Sequence, residues 1–97
     1  MLLNHANNVT GYAKISQGGI CTTQIDIRLV AKYAIDSLAA AVIFVHNHPS
    51  GNVKASREDE QITKRMKSVL ELLGVKLLDS IIISDIGYLS MNDEGIL

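Results

Sequence analysis

Residues 41–46, Ala-Val-Ile-Phe-Val-His, form an unbroken apolar run that ends in a histidine. Val42, Ile43 and Val45 are β-branched, and a continuous run of this kind predicts a central strand covered on both faces. A central strand needs strands on either side of it, and the flanking sequence supplies them. Residues 9–16 carry Val9, Tyr12 and Ile15 between polar positions and close on the turn signal Gly18-Gly19, with residues 20–23 resuming the sheet briefly. Residues 76–84 hold Leu77, Leu78, Ile81, Ile82 and Ile83 as another strand, and residues 87–91 form a last one after a turn at 85–87. The opening Met1-Leu2-Leu3-Asn4 reads as the middle of a strand, so the expectation is a domain over residues 1–97 that lacks its first strand or N-terminal part.

Between these strands the period changes to that of a helix. From Asp26 onward Ile27, Val30, Ala31, Ala34 and Leu38 fall on one stripe, with Thr23 or Gln24 near the start. Residues 47–55 contain the single proline and Gly51 and predict a loop. Ser56 opens a second helix with Ile62, Met66, Val69, Leu70 and Leu73 on its apolar stripe, Glu60/Lys64 and Lys67/Glu71 as outer i, i+4 pairs, and Gly74 as the residue that ends it. The order β, β, α, β, α, β, β predicts a three-layer α/β domain with a mixed sheet.

Composition narrows the function classes. Ninety-seven residues fit one small domain, near the lower limit for a self-sufficient core, and 47% apolar residues mark a globular chain. Nine basic against ten acidic residues leave a net charge of −1, so no bulk field draws the chain to nucleic acid or to an anionic membrane. Cys21 is the sole cysteine, which excludes an intrachain disulfide framework and a Cys-built zinc knot and points to the reducing cytoplasm. The longest apolar run has eight residues, far short of the ~20 that span a bilayer.

The chemistry is concentrated where the central strand ends. His46 and His48 are two residues apart, so on an extended backbone both imidazoles point to one side, ~6.5 Å apart along the chain. Asp59 falls in the first turn of the next helix, and the intervening loop can fold that turn over the strand tip. Two neutral nitrogens and a carboxylate oxygen leave a fourth tetrahedral position to water, the arrangement of a catalytic zinc and not of a structural one. Each residue also has a plainer reading. A lone histidine at a strand end is ordinarily a polar terminus, and Ser56-x-x-Asp59 ahead of an apolar run resembles a helix capping box. The two roles of Ser56 are compatible, because a capping hydroxyl beside a metal can also donate to a developing oxyanion. Asn47 is expected to turn inward and brace the loop, and His5, without a sequence partner, to be exposed. The basic residues Lys54, Arg57, Lys64, Arg65 and Lys67 alternate with Glu58, Glu60 and Glu71 and read as a solvated helix face.

With these residues in view, the whole chain resembles the JAB domain of RadC-like proteins, a bacterial branch of the JAMM (JAB/MPN) metalloprotease family. The resemblance rests on Gly18-Gly19, Asp26 to Arg28, the block His46-Asn47-His48-Pro49-Ser50-Gly51-Asn52, Ser56-x-x-Asp59, Thr63, Leu78-Asp79 and the tail from Tyr88 to Gly95. It implies a cytidine-deaminase-like α/β fold, Zn2+ held by His46, His48 and Asp59, oxyanion support from Ser56, and hydrolysis of peptide or isopeptide bonds in a peptide or protein substrate. The letters His-Asn-His do not make an HNH nuclease, whose named residues are dispersed over a ββα-metal unit.

Two departures qualify the resemblance. JAMM enzymes use a glutamate on an early strand as general acid/base, and the carboxylates ahead of Glu58 here are Asp26 and Asp36. In RadC-like relatives that glutamate lies a few residues ahead of the segment resembling Leu2-Leu3-Asn4, so the expectation is a chain that binds metal and hydrolyses poorly. Ser80 stands where the family usually has histidine after Asp79. The alternative from another class is a DNA-repair-associated accessory or binding module with a structural or vestigial metal. Against it, the charge and the 4% aromatic content give neither a phosphate footprint nor stacking platforms. A third reading, a partner-binding scaffold like MPN domains that lost their ligands, is opposed by the intact ligand set. No membrane partner is implied, and nothing in the pattern sets an oligomeric state.

Overall fold

A computed structural model of the chain describes residues 1–13, 26–48 and 54–97. Among these residues there are seven elements, in the expected order from α1 onward: β1 (Leu2–Leu3), β2 (Val9–Gly11), α1 (Ile27–Asp36), β3 (Ala41–Asn47), α2 (Arg57–Leu72), β4 (Lys76–Ser84) and β5 (Gly87–Ser90). They make one mixed sheet in the order β2-β1-β3-β4-β5. The apolar run of β3 does occupy the centre. It runs antiparallel to β1 and parallel to β4, while β5 returns antiparallel along β4. The β1 pairing extends through Met1, whose amine donates to Ile43 O at 2.8 Å and whose carbonyl accepts from Ile43 N at 2.9 Å.

Parallel strands cannot be joined by a tight turn, and α2 is the crossover between β3 and β4. One irregularity sits in their register: Val42 pairs with Leu77 and Ile43 with Asp79, so Leu78 is an extra residue in β4. Beyond this bulge Phe44 lies opposite Ser80 and His46 opposite Ile82. Val42 and Leu77 share a core cluster with Val30 and Ala34 of α1 and Met66 and Leu70 of α2, with Phe44 packed against it. Both helices therefore cover the same face of the sheet. The α/β mixed-sheet class stands, and the described elements supply two of the three expected layers. Val45 and Ile83, pointing the other way, are 43% and 39% exposed, so β3 is covered on one face and not on both among the described residues. An apolar run alone does not distinguish a strand buried twice from one with an exposed apolar side.

The helix ends show where local chemistry decided the boundaries. α1 is capped by Asp26, whose carboxylate accepts from Arg28 N at 3.0 Å and pairs with the Arg28 guanidinium; Thr23 and Gln24, expected near its start, lie outside the described residues. Leu38, assigned to the α1 stripe from periodicity, lies past the helix with φ +52° and is 88% exposed. There Leu38 N donates to Ile35 O and Ala39 N to Ala34 O, a Schellman closure with leucine in the left-handed position. α2 closes the same way on glycine: Gly74 (φ +75°) donates to Glu71 O and Val75 N to Leu70 O. Of the ion pairs expected along α2, neither Glu60/Lys64 nor Lys67/Glu71 forms; the i, i+4 pair among the described residues is Lys32–Asp36 on α1. Exposed pairs of this kind contribute little, so their rotamers are free to stay in solvent. β2 ends at Gly11, short of the strand expected over 9–16: Tyr12 and Ala13 are not in a strand, and residues 14–16, the segment 20–23 and the turn from Pro49 to Asn52 lie outside the described residues.

Candidate metal centre

The site is assembled by two elements that meet at the carboxyl end of β3. Alternation along β3 sends Phe44 and His46 to the helix-covered face, with their rings 6.3 Å apart, and sends Asn47 to the other side, where it is exposed. Asn47 thus does not brace the loop from within. His48 follows the last strand residue and is fixed by its backbone N–H, which donates to Ile83 O at 2.8 Å. Its imidazole packs edge-on against that of His46, centroids 4.7 Å apart.

The helix contributes the anion. Ser56 is the N-cap of α2 and Asp59 its third residue, and the capping box is complete: Ser56 Oγ accepts from Asp59 N at 3.0 Å, and Asp59 Oδ2 accepts from Ser56 N at 2.9 Å. This box turns the buried Asp59 side chain back toward the strand. Its Oδ1 then lies 3.2 Å from His46 Nδ1 and its Oδ2 3.4 Å from His48 Nε2. The two readings of Asp59, helix cap and candidate ligand, hold together. Ser56 Oγ serves the cap as an acceptor, which leaves its O–H as a donor.

Electrostatics favour the protonation states a cation requires. Burial pushes the His46 pKa below the ordinary 6.5; Asp59 opposes this and His48 reinforces it. For Asp59 burial acts upward, yet the bonds from Ser56 and the two neighbouring imidazoles outweigh it and hold the carboxyl below 3.8. Near neutral pH His46 is therefore uncharged and Asp59 anionic, the forms that bind metal. Taking one ligand atom from each residue, the donors of His46, His48 and Asp59 all lie within 4.8 Å of one another. A tetrahedral ion with bonds of ~2.0–2.1 Å holds its ligand atoms ~3.3–3.4 Å apart. The two histidine–carboxylate distances, 3.2 and 3.4 Å to different oxygens of Asp59, are close to that edge, so with a small rotation of the carboxylate the residues present fit a divalent ion.

No further carboxylate joins this cluster among the described residues. Asp26 is held by Arg28 at the start of α1 and Asp36 by Lys32 at its end. His5 is exposed, as expected. Ser80 faces α2 and is buried, with Thr63 Oγ1 3.3 Å from its Oγ. The Asp79 carboxylate ties the tail down instead, accepting from Ser80 N, Ser90 Oγ and Asn92 N. Both roles escaped the sequence reading. A threonine on the buried stripe of α2, one turn past Asp59, was the one available sign of the first.

These features define a mixed-sheet α/β domain with a candidate His/His/Asp metal centre at the strand–helix junction. A family model described as the RadC-like JAB domain matches residues 1–96, and the chain belongs to that family. Among its relatives, the UPF0758 protein of Flavobacterium johnsoniae is 46% identical over 96 residues, covering 99% of this chain and 42% of the relative. The UPF0758 protein of Porphyromonas gingivalis is 43% identical over 98 residues, covering 100% and 43%. That of Syntrophotalea carbinolica is 45% identical over 97 residues, also covering 100% and 43%. The chain thus spans less than half the length of these relatives. No helix among the described residues is long and apolar enough to cross a membrane.

Proposed function

We propose that this chain is the metal-holding part of a JAMM-type zinc-dependent hydrolase of peptide or isopeptide bonds, working in the cytoplasm. The observation that carries the proposal is the convergence of His46, His48 and Asp59, with no fourth His, Cys, Asp or Glu donor among the described residues, where β3 meets α2. Zinc bound there would supply Lewis acidity, polarising a carbonyl and acidifying water. His46 and His48 offer neutral nitrogens, Asp59 offers the charge, and the capping box holds the carboxylate in place before any substrate arrives. The Ser56 O–H, on the residue whose backbone N–H already holds the Asp59 carboxylate, would support the oxyanion of the tetrahedral intermediate.

The proton shuttle is assigned to a glutamate of a longer chain. β1 runs antiparallel to β3 with Met1 opposite Ile43, so a residue ahead of Met1 would follow β3 toward His46. A carboxylate arriving by that route would come along the edge of β3 that faces away from β4. General acid/base groups contribute typically 10²–10⁴-fold, so the 97 residues alone should hydrolyse poorly.

The test has two stages. Protein purified without chelator should carry near-stoichiometric zinc that is lost in His48→Ala; zinc retained in a His46→Ala, His48→Ala double variant would sink the site. Activity on a peptide and isopeptide panel should then appear when a native upstream segment bearing a glutamate is added, and vanish on its Glu→Gln replacement. Equal activity with and without that segment would show the acid/base assigned wrongly. Zinc binding with no hydrolysis in either form would favour the DNA-repair-associated accessory module.

A further inference from the structure

The face of α2 that presses on the sheet is apolar below its first turn, where Met66 and Leu70 are fully buried. Apolar surfaces give burial energy without fixing how far a helix slides or rotates. In this interface one buried polar pair interrupts the pattern. Thr63 and Ser80 are 1% and 2% exposed, their hydroxyl oxygens 3.3 Å apart, and they form the hydrogen bond that joins α2 to β4 among the described residues. Thr63 lies one turn beyond Asp59 on the same buried stripe, and Ser80 lies opposite Phe44, the residue two before His46 on the same face. The bond therefore ties the helix turn beneath one candidate ligand to the sheet level beneath another.

We propose that Thr63 and Ser80 are positioning residues for the metal centre: their hydrogen bond sets the seating of α2 so that Asp59 meets His46 and His48. This rests on the metal reading above. A bond between two hydroxyls is a poor choice for stability alone. Its net contribution is small, and replacing both partners by apolar groups of similar shape is close to neutral, whereas removing one leaves the other buried without its partner. What the pair provides that an apolar contact does not is direction; groups bonded directly to metal ligands typically change affinity 10- to 100-fold, and this pair, one step further back, is expected at the lower end of that range.

The experiment titrates Co2+ into the metal-free chain, following the visible absorption of the tetrahedral ion, and records Tm for each variant without metal. Thr63→Val and Ser80→Ala singly should lower both Tm and Co2+ affinity. The Thr63→Val, Ser80→Ala double variant should recover Tm while its Kd for Co2+ stays about 10-fold weaker than wild type, and Thr63→Ser, which keeps the hydroxyl, should return to the wild-type Kd. Val75→Ala, a core truncation in the connection between α2 and β4, gives a general loss of stability and should leave the Kd unchanged; should the double variant not fold, Ser80→Ala is judged against it. A double variant with wild-type Kd, or Val75→Ala as weak as Ser80→Ala, overturns the positioning role and leaves the metal site standing. Wild-type protein that shows no tetrahedral Co2+ signal overturns the metal reading and this proposal with it.

Discussion

Ser56 and Asp59 close a reciprocal capping box, Asp59 N to Ser56 Oγ at 3.0 Å and Ser56 N to Asp59 Oδ2 at 2.9 Å, and the same carboxylate reaches both histidines. Start of helix and candidate metal ligand are thus one group, and mutation can separate the two functions. Ser56→Ala removes an N-cap and should cost about 1 kcal/mol, yet the backbone N–H of residue 56 still holds the Asp59 carboxylate. The zinc-dependent rise in Tm should therefore survive. Asp59→Ala should lose a similar amount from the cap and, in addition, lose the zinc-dependent rise altogether. Thermal melts with and without zinc check both; a full zinc response in Asp59→Ala would remove it from the ligand set.

Acid should destabilise the metal-free chain in two steps. The folded-state pKa of His46 is lowered by burial, so as pH falls through 6.5 the unfolded chain takes up a proton that the folded chain resists, and stability drops until the lowered folded value is passed. Asp59, also lowered, contributes stability that is present above 3.8 and is lost as pH falls through its folded value. Urea midpoints measured across this range should decline in both windows. His46→Gln should abolish the upper step and keep the lower one, and an unchanged upper step would show that another group causes it.

The two helices end in matching Schellman closures that differ in the residue placed at positive φ. Leu38 sits there at φ +52° and Gly74 at φ +75°. A side chain in this conformation is strained by roughly 1–2 kcal/mol, while glycine is not. Leu38 is exposed, so Leu38→Gly gives up no packing and should stabilise the domain by about 1 kcal/mol, less the entropy glycine adds to the unfolded chain. Gly74→Ala should destabilise by about 1 kcal/mol even though no atom lies within 4 Å of the added Cβ. Tm shifts of opposite sign, roughly 4–8 °C per kcal/mol, are the readout.

The contrast between these helix ends also shows which signals the sequence carried. Gly74 announces the end of α2, because glycine at that position follows from backbone sterics; Leu38 continued an apolar stripe and so hid the end of α1. The element order, the central place of β3 and the grouping of His46, His48 and Asp59 were legible, since strand alternation and a capping signature are local properties. Which face each helix covers is not local, and neither is the bulge at Leu78 that sets Ser80 against Thr63. Asn47 was misread because its own side of the strand was not followed: one residue on from His46, alternation turns it away from the site.

DNA association provides the last test, because it separates the hydrolase from the accessory module. A protein that grips phosphates does so with clustered lysines and arginines, and its affinity falls steeply with salt as counterions return. On α2 the basic residues Arg57, Lys64 and Arg65 are exposed, but Glu58 and Glu71 are exposed on the same helix, and the chain as a whole carries −1. Few phosphates can be neutralised without drawing an acid toward the backbone. Titration against single- and double-stranded oligonucleotides at near-physiological salt should therefore give weak binding, no tighter than the 10⁻⁴–10⁻⁶ M of non-specific complexes, and weaker still as salt is raised. Charge reversal at Arg57 and Lys64 should change the zinc content little, since neither residue belongs to the His46, His48 and Asp59 cluster. Tight binding at physiological salt that is lost on this reversal would instead make α2 a nucleic-acid surface and the metal centre its accessory.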